Sequence, residues 1–259
     1  MEREDSRVKG IDFSAVEQYH RDGYLLVRGV FTPEEVRKML YDVEHGSEVS
    51  SLAVGRADAS GRKARLALWY DLKPDIWGAA STCPRIVNTV RILLGEDAAF
   101  FHGKVMLKEA RSGGAWEWHQ DYGYWYDHGF LYPNLISAFA ALDEATVENG
   151  CLQVLRGSHK LGRLNHGRVG DQTGADPNRI RQIESLFERV YVTMQPGDVL
   201  FFHSNLLHTS SANDSDKHRR SFIMCYNAVS NPELLRDGTL RYRESCPVGA
   251  DDAILRFPG

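Results

Sequence analysis

The sequence predicts a mostly β protein with flanking helices, a β-sandwich or jelly roll, and three observations carry that expectation. From about Ala98 onward, short apolar runs of strand length recur. Turn-forming clusters separate them, notably Glu148-Asn149-Gly150 and Gln195-Pro196-Gly197-Asp198. Before Ala98 the apolar spacing is helical instead.

Taken in order, Phe13, Val16 and Tyr19 mark a short helix over 13–22 that Gly23 ends, and Tyr24 to Arg28 reads as a strand. Thr32-Pro33-Glu34-Glu35 is a helix start, with Thr32 as N-cap, Pro33 in the first turn and Glu35 completing a capping box. Val36, Met39, Leu40 and Val43 then share one face. Residues 47–63, rich in Gly, Ser, Ala and Asp, are expected to form a long loop. Pro84 to Leu94 reads as a helix closed by Gly95. Strands are expected at 99–107, 135–142, 151–155, 190–194, 199–202 and 221–226. The expected organisation is a single domain over 1–259, a helical part (about 11–95) packing on a β core (about 98–230).

Charge and composition narrow the function. The net charge of −4 and the scattered Lys and Arg disfavour a nucleic-acid partner. No apolar run approaches membrane-spanning length, and residues 1–10 are too charged for a secretory signal. Four separated cysteines without a CxxC suit free thiols in a reducing compartment. A cytoplasmic protein acting on a small molecule is the expectation, with its oligomeric state open.

His-x-Asp occurs twice. His20-Arg21-Asp22 falls on the first helix, where i and i+2 do not face each other, and reads as solvated. His119-Gln120-Asp121 is different: at a strand edge, the period of two points both side chains to one face. With a second imidazole from His203 or His208, the pair becomes a two-histidine, one-carboxylate set that holds Fe(II) and leaves positions open. Trp116, Trp118, Tyr122, Tyr124 and Trp125 crowd this pair; most of them are ordinary core and two or three line a pocket. Downstream, Arg219 and Arg220 offer guanidinium forks suited to a carboxylate.

In combination, Asp22-Gly23-Tyr24-Leu25-Leu26-Val27-Arg28, His119-Gln120-Asp121, Glu148-Asn149-Gly150-Cys151-Leu152, Gly157-Ser158-His159, Pro196-Gly197-Asp198 and His208-x-Ser210 resemble the phytanoyl-CoA dioxygenase family from about Val16 to Val229. The resemblance implies a double-stranded β-helix that uses Fe(II), 2-oxoglutarate and O2, hydroxylates a small organic substrate and releases succinate and CO2. By position it implies His119, Asp121 and His208 as iron ligands. Arg219, with Arg220 one residue away, and Ser210 are implied as holders of the 2-oxoglutarate carboxylate, with Lys104 a further candidate. The halogenases of this kind lack the carboxylate, so Asp121 favours hydroxylation. Arg156 departs from the Pro usual before Gly-Ser-His and joins the substrate-pocket candidates. It heads a basic loop, 156–168, able to receive an anion or to stand solvated. Segments 47–63 and 162–178 are candidate lids. Competing readings are a cupin-type dioxygenase without 2-oxoglutarate, a ligand-binding jelly roll without turnover, and, ranked below them, a zinc hydrolase.

Overall fold

The computed structural model describes residues 11–259. The stretch 1–10, expected to hold no secretory signal, lies outside them. Helix α1 (Phe13–Asp22) starts where the Asp12 carboxylate accepts the Ala15 amide, and it ends at Gly23, whose φ of 85° lets its amide bond Tyr19 O. Strand β1 (Tyr24–Val27) follows. Helix α2 (Pro33–His45) begins with the predicted reciprocal box: Glu35 N donates to Thr32 Oγ1 at 3.2 Å and Thr32 N to Glu35 at 2.7 Å.

The expected loop over 47–63 is instead largely ordered into α3 (Ser47–Leu52) and β2 (Val54–Ala57), which pairs antiparallel with β3 (Lys63–Trp69). Strand β2 is a mostly exposed edge strand, so the ladder with β3, not a buried apolar alternation, holds it; its sequence lacks the signal that marks a strand. Helices α4 (Ile76–Ser81) and α5 (Pro84–Leu94) come next, the latter stopped at Gly95 as predicted.

The back of the chain is strand-rich: β4 (Ala98–Lys108), β5 (Trp116–His119), the short α6 (Asp121–Trp125), β6 (Leu135–Ala141), β7 (Leu152–Leu155), β8 (His166–Val169), β9 (Gln172–Ala175), α7 (Pro177–Ile183), β10 (Arg189–Val192), β11 (Val199–His203), β12 (His208–Ser210) and β13 (Arg219–Ala228). They form an antiparallel seven-stranded sheet, β1-β11-β6-β13-β4-β3-β2, and a four-stranded sheet, β10-β7-β12-β5. Strands β8 and β9 make a separate hairpin. This is the jelly roll the sequence predicts.

Side-chain parity on the large sheet decides where everything goes. On β13, Phe222, Met224 and Tyr226 join the core shared with Val36, Met39, Ile86, Val87 and Val90 of the helices. The alternate residues Ile223 and Cys225 join the core that also holds Leu152 and Val154 of the small sheet. Fully burying one such large apolar side chain is worth about 1.5–3 kcal/mol. The helical layer therefore covers one face of the sheet and leaves the other facing the small sheet. Among the described residues, no helix is long and apolar enough to cross a membrane.

One ion pair ties this helical layer together. Arg85 of α5 and Glu35 of α2 are both buried, and Arg85 also donates to Val30 O and, through Nε, to Asp251 at 2.8 Å. Breaking a buried pair strands its other charge. Arg85→Leu is expected to destabilise the protein by about 3–5 kcal/mol, read as a lowered denaturation midpoint, whereas the exposed Arg37→Ala should move that midpoint little.

Candidate active site

His119 ends β5, and Gln120 continues in an extended conformation (φ −108°, ψ 133°) before α6 begins at Asp121. The strand itself stops at His119, yet the extended Gln120 preserves the alternation and keeps His119 and Asp121 on one side. Strand β12 brings His208 directly opposite His119. His119 Nε2 and His208 Nε2 lie 3.7 and 4.0 Å from Asp121 Oδ1, and the three ligand atoms fall within 4.8 Å of one another.

Each group is aimed by a second partner. His119 Nδ1 bonds Glu117 O at 2.7 Å and His208 Nδ1 bonds Leu206 O at 2.9 Å, so both Nε2 atoms are left as acceptors. Ser137 Oγ of β6 donates to Asp121 Oδ2 at 2.6 Å, while Oδ1, buried, has no hydrogen-bond partner. Burial pushes both histidines below the usual imidazole range, helped at His119 by the neighbouring His208. Burial alone would raise the Asp121 carboxyl, but Lys104, His208 and Ser137 together hold it below the usual range. Two neutral imidazoles and one anionic carboxylate, with a lone pair on each converging, fit a divalent metal ion.

The same cavity has a second polar end. Arg219 points inward from β13, 2% exposed, with its Nε unpartnered. Burial lowers its pKa to about 10, which leaves it cationic at neutral pH. Arg220, one residue on, faces the other way and pairs with Asp143 at 2.7 Å and Glu44 at 2.6 Å. Parity thus separates two arginines that adjacency in sequence cannot. Ser210 lines the cavity beside Arg219, and its Oγ accepts from Lys108 Nζ at 2.8 Å, which frees the hydroxyl proton to point elsewhere. Between the two ends lie Met106, Trp116, Phe139, Leu152, Phe202 and Ile223.

Other predicted positions fare variously. The Tyr124 ring lies tilted beside the His119 ring, their centroids 5.3 Å apart, and Trp116 lines the cavity. Trp118 lies outside it, packed with Leu155, Ile180 and Leu207 and covered by Arg189. Trp118 adjoins His119, so strand alternation turns it to the opposite face; a bulge, in which three steps of β5 from Trp116 to His119 oppose two of β12 from Ser210 to His208, is what brings Trp116 to the His119 face. Tyr122 is core, its hydroxyl on Phe130 O, and Trp125 packs on Phe101 and His102. Arg156 is also outside the cavity, ion-paired to Glu188 at 2.7 Å. In its basic loop Arg163 lies over the Tyr126 ring and Arg168 pairs with Asp171. Lys104 faces the metal end, 3.8 Å from Asp121 Oδ1, and it is Lys108, unnoticed in the sequence, that touches Ser210. His203 turns toward His159, and Asp22 of the first His-x-Asp, expected to be solvated, is buried against Arg21.

Gln120 carries a role that its place between two ligand candidates hid. Its side chain bonds Gly162 O, Leu164 N and Asn205 O, and its amide donates to His166 Nε2 at 3.0 Å. The candidate lid 162–178 is thereby fastened to the site, as is 47–63, where Asp58 accepts the Ala115 amide at 2.7 Å. Two glycine-bearing motifs brace β12 from below: Ser158 Oγ accepts Leu207 N at 2.9 Å, and a Cβ on Gly150 (φ 77°) would stand 2.2 Å from Ser211 O.

Fold and site define a double-stranded β-helix protein with a two-histidine, one-carboxylate centre. The family model of phytanoyl-CoA dioxygenase matches residues 19–221. The chain belongs to that family, and is by family a dioxygenase. Among its relatives, L-proline trans-4-hydroxylase of Streptomyces griseoviridis is 28% identical, covering 91% of this chain and 94% of its own. The ectoine dioxygenase of Bordetella bronchiseptica is 27% identical, covering 83% and 75%. Crystal structures of the same fold include EctD from S. alaskensis with 2-oxoglutarate and 5-hydroxyectoine (TM-score 0.75, 22% identity, 92% and 86% covered). Another is the epimerase SnoN with Fe3+, alpha ketoglutarate and nogalamycin RO (TM-score 0.71, 25% identity, 95% and 96% covered).

The buried imidazoles also set an acid limit on the fold. Burial drives His203 down to about 4, and His102 well below the usual range. The unfolded chain takes protons near pH 6.5 that these folded rings refuse, so stability is held above that value and falls as pH drops toward 4. The slope is roughly 1.4 kcal/mol per pH unit per ring. Thermal midpoints of the metal-free protein should be level from pH 8 to 7 and decline below about 6.5; a midpoint that held constant down to pH 5 would contradict this.

Proposed function

We propose that the chain, acting as a single oxygenase domain over residues 1–259, hydroxylates an unactivated C–H bond of a small organic molecule, using Fe(II) and 2-oxoglutarate. The observation that carries this is one cavity with two polar ends: converging His119, Asp121 and His208 donors at one, and at the other the buried Arg219, whose Nη1 bonds Ser221 Oγ but whose Nε has no partner. His119, Asp121 and His208 would hold the iron. When bound, the iron couples O2 reduction to oxidation of 2-oxoglutarate to succinate and CO2, and so to hydroxylation of the substrate.

The chain's own residues then have separable tasks. Arg219 supplies a cationic fork and Ser210 a hydroxyl proton to the far carboxylate of 2-oxoglutarate, charge-assisted contacts that also fix its direction in the cavity. Arg219 would be idle in a cupin-type enzyme that does without this cosubstrate. Ser137 keeps Asp121 Oδ2 engaged so that Oδ1 is the atom presented to the metal. Phe139, Phe202, Leu152 and Ile223 keep water from the space between the two ends. Four buried free cysteines support a cytoplasmic setting.

His119→Ala and Asp121→Ala are expected to abolish substrate-dependent succinate release; full turnover by either with iron present would sink the ligand assignment. Arg219→Met should raise the KM for 2-oxoglutarate on the order of tenfold or more, as befits a lost charged hydrogen bond, while Arg220→Met leaves it near the native value. The reverse pattern would exchange their roles.

A further inference from the structure

Resting on the preceding assignment of the metal end, the inner face of β4 points to a substrate class. Side chains on this strand fall on the cavity side at every second position, about 6.8 Å apart. Register with β13 sets Lys108 opposite Arg219, Lys104 opposite Ile223 and His102 opposite Cys225. Cys225 in turn pairs with Ser137, the residue that holds Asp121. Lys108 spends its ammonium on Ser210 Oγ, Ser210 O and Ser211 O.

Lys104 has no comparable employment. Its side chain is 18% exposed; among the described residues it makes no hydrogen bond, and its one carboxylate neighbour within 4.0 Å is Asp121, at 3.8 Å. A metal ion on Asp121 Oδ1 would take that charge. The lysine would then face a dication across the cavity, an arrangement that calls for an anion. A second observation lies one row further along. His102, 4% exposed, has a buried Nδ1 without a partner, and its ring is enclosed by Tyr70, Phe101 and Trp125. An unsatisfied cation and an unsatisfied ring nitrogen thus occupy successive inward positions of β4, at the metal end of the cavity and two or more rows from the Lys108–Arg219 pair.

We propose that Lys104, with His102 beside it, binds an oxyanion of the primary substrate, and that the substrate is therefore a small molecule bearing a free carboxylate or phosphonate. Lys104 is then a specificity-determining residue and not a holder of 2-oxoglutarate. The carboxylate and phosphonate sources share this chemistry and differ in size and charge, so a panel can separate them.

The test uses full-length protein with Fe(II) and 2-oxoglutarate and a panel of small amino acids and aliphatic acids, each paired with its methyl ester and its phosphonate analogue. Succinate release is expected to rise with free acids or phosphonates and not with the esters. For the best member, Lys104→Met should raise KM on the order of tenfold to a hundredfold, the loss of a charged hydrogen bond, and Lys104→Arg should recover much of it. Anaerobic titration should show iron-dependent 2-oxoglutarate binding retained in Lys104→Met. The proposal is overturned if esters serve as well as acids, if no anionic member raises succinate release, or if Lys104→Met leaves KM unchanged. It is also overturned if that variant loses 2-oxoglutarate binding while KM for substrate holds. Failure of the unsubstituted protein to bind 2-oxoglutarate with iron would instead refute the underlying functional reading.

Discussion

The buried Asp121 carboxylate is the constraint on which the rest of the structure depends. A charge at 1% exposure is tolerated only where its surroundings compensate it. Ser137 answers one oxygen, Lys104 and two imidazoles surround the other, and each of these comes from a different strand. Assembling them requires β4, β5, β6 and β12 to be in register at once, which is what two facing sheets provide. The site is therefore a product of the whole barrel and not of the short motif that first draws attention.

The outer helical layer serves the same end indirectly. By taking Phe222, Met224 and Tyr226 from one face of β13, α2 and α5 fix which face is left for Arg219, Ile223 and Cys225. The Glu35–Arg85 pair locks those two helices to each other. Because the strand has a period of two, a slip of one residue would send Arg220 inward and Arg219 out. Hydrogen bonding to β4 and β6 on both sides opposes that slip.

Much of this was legible in the sequence where local chemistry decides. The helix start at Thr32, the stops at Gly23 and Gly95, and the long apolar strands β4, β6, β11 and β13 carried their own signals, whereas β3 did not. The jelly roll followed from the strand spacing, and the family motifs implied His208 in place of His203. What the sequence hid was whatever depends on a partner distant along the chain. Strand β2 exists through its ladder; Trp116 reaches the His119 face through a bulge that no composition marks; Lys108 carries no signal until Ser210 is placed beside it. Gln120 carries no signal beyond its place between two ligand candidates, because a glutamine's partners are invisible until the 162–166 segment is folded over it.

Strand β4 has one further consequence. Its backbone is hydrogen-bonded to β3 on one side and β13 on the other, so the interval between Lys104 and Lys108, with Met106 between them, cannot stretch. A rigid interval of that kind is a gauge of chain length. Were 2-oxoglutarate held as proposed between the metal donors and Arg219, a diacid longer by a methylene would have to buckle against Phe139 and Ile223. The sheet, more than any single contact, would then discriminate between otherwise equivalent oxoacids.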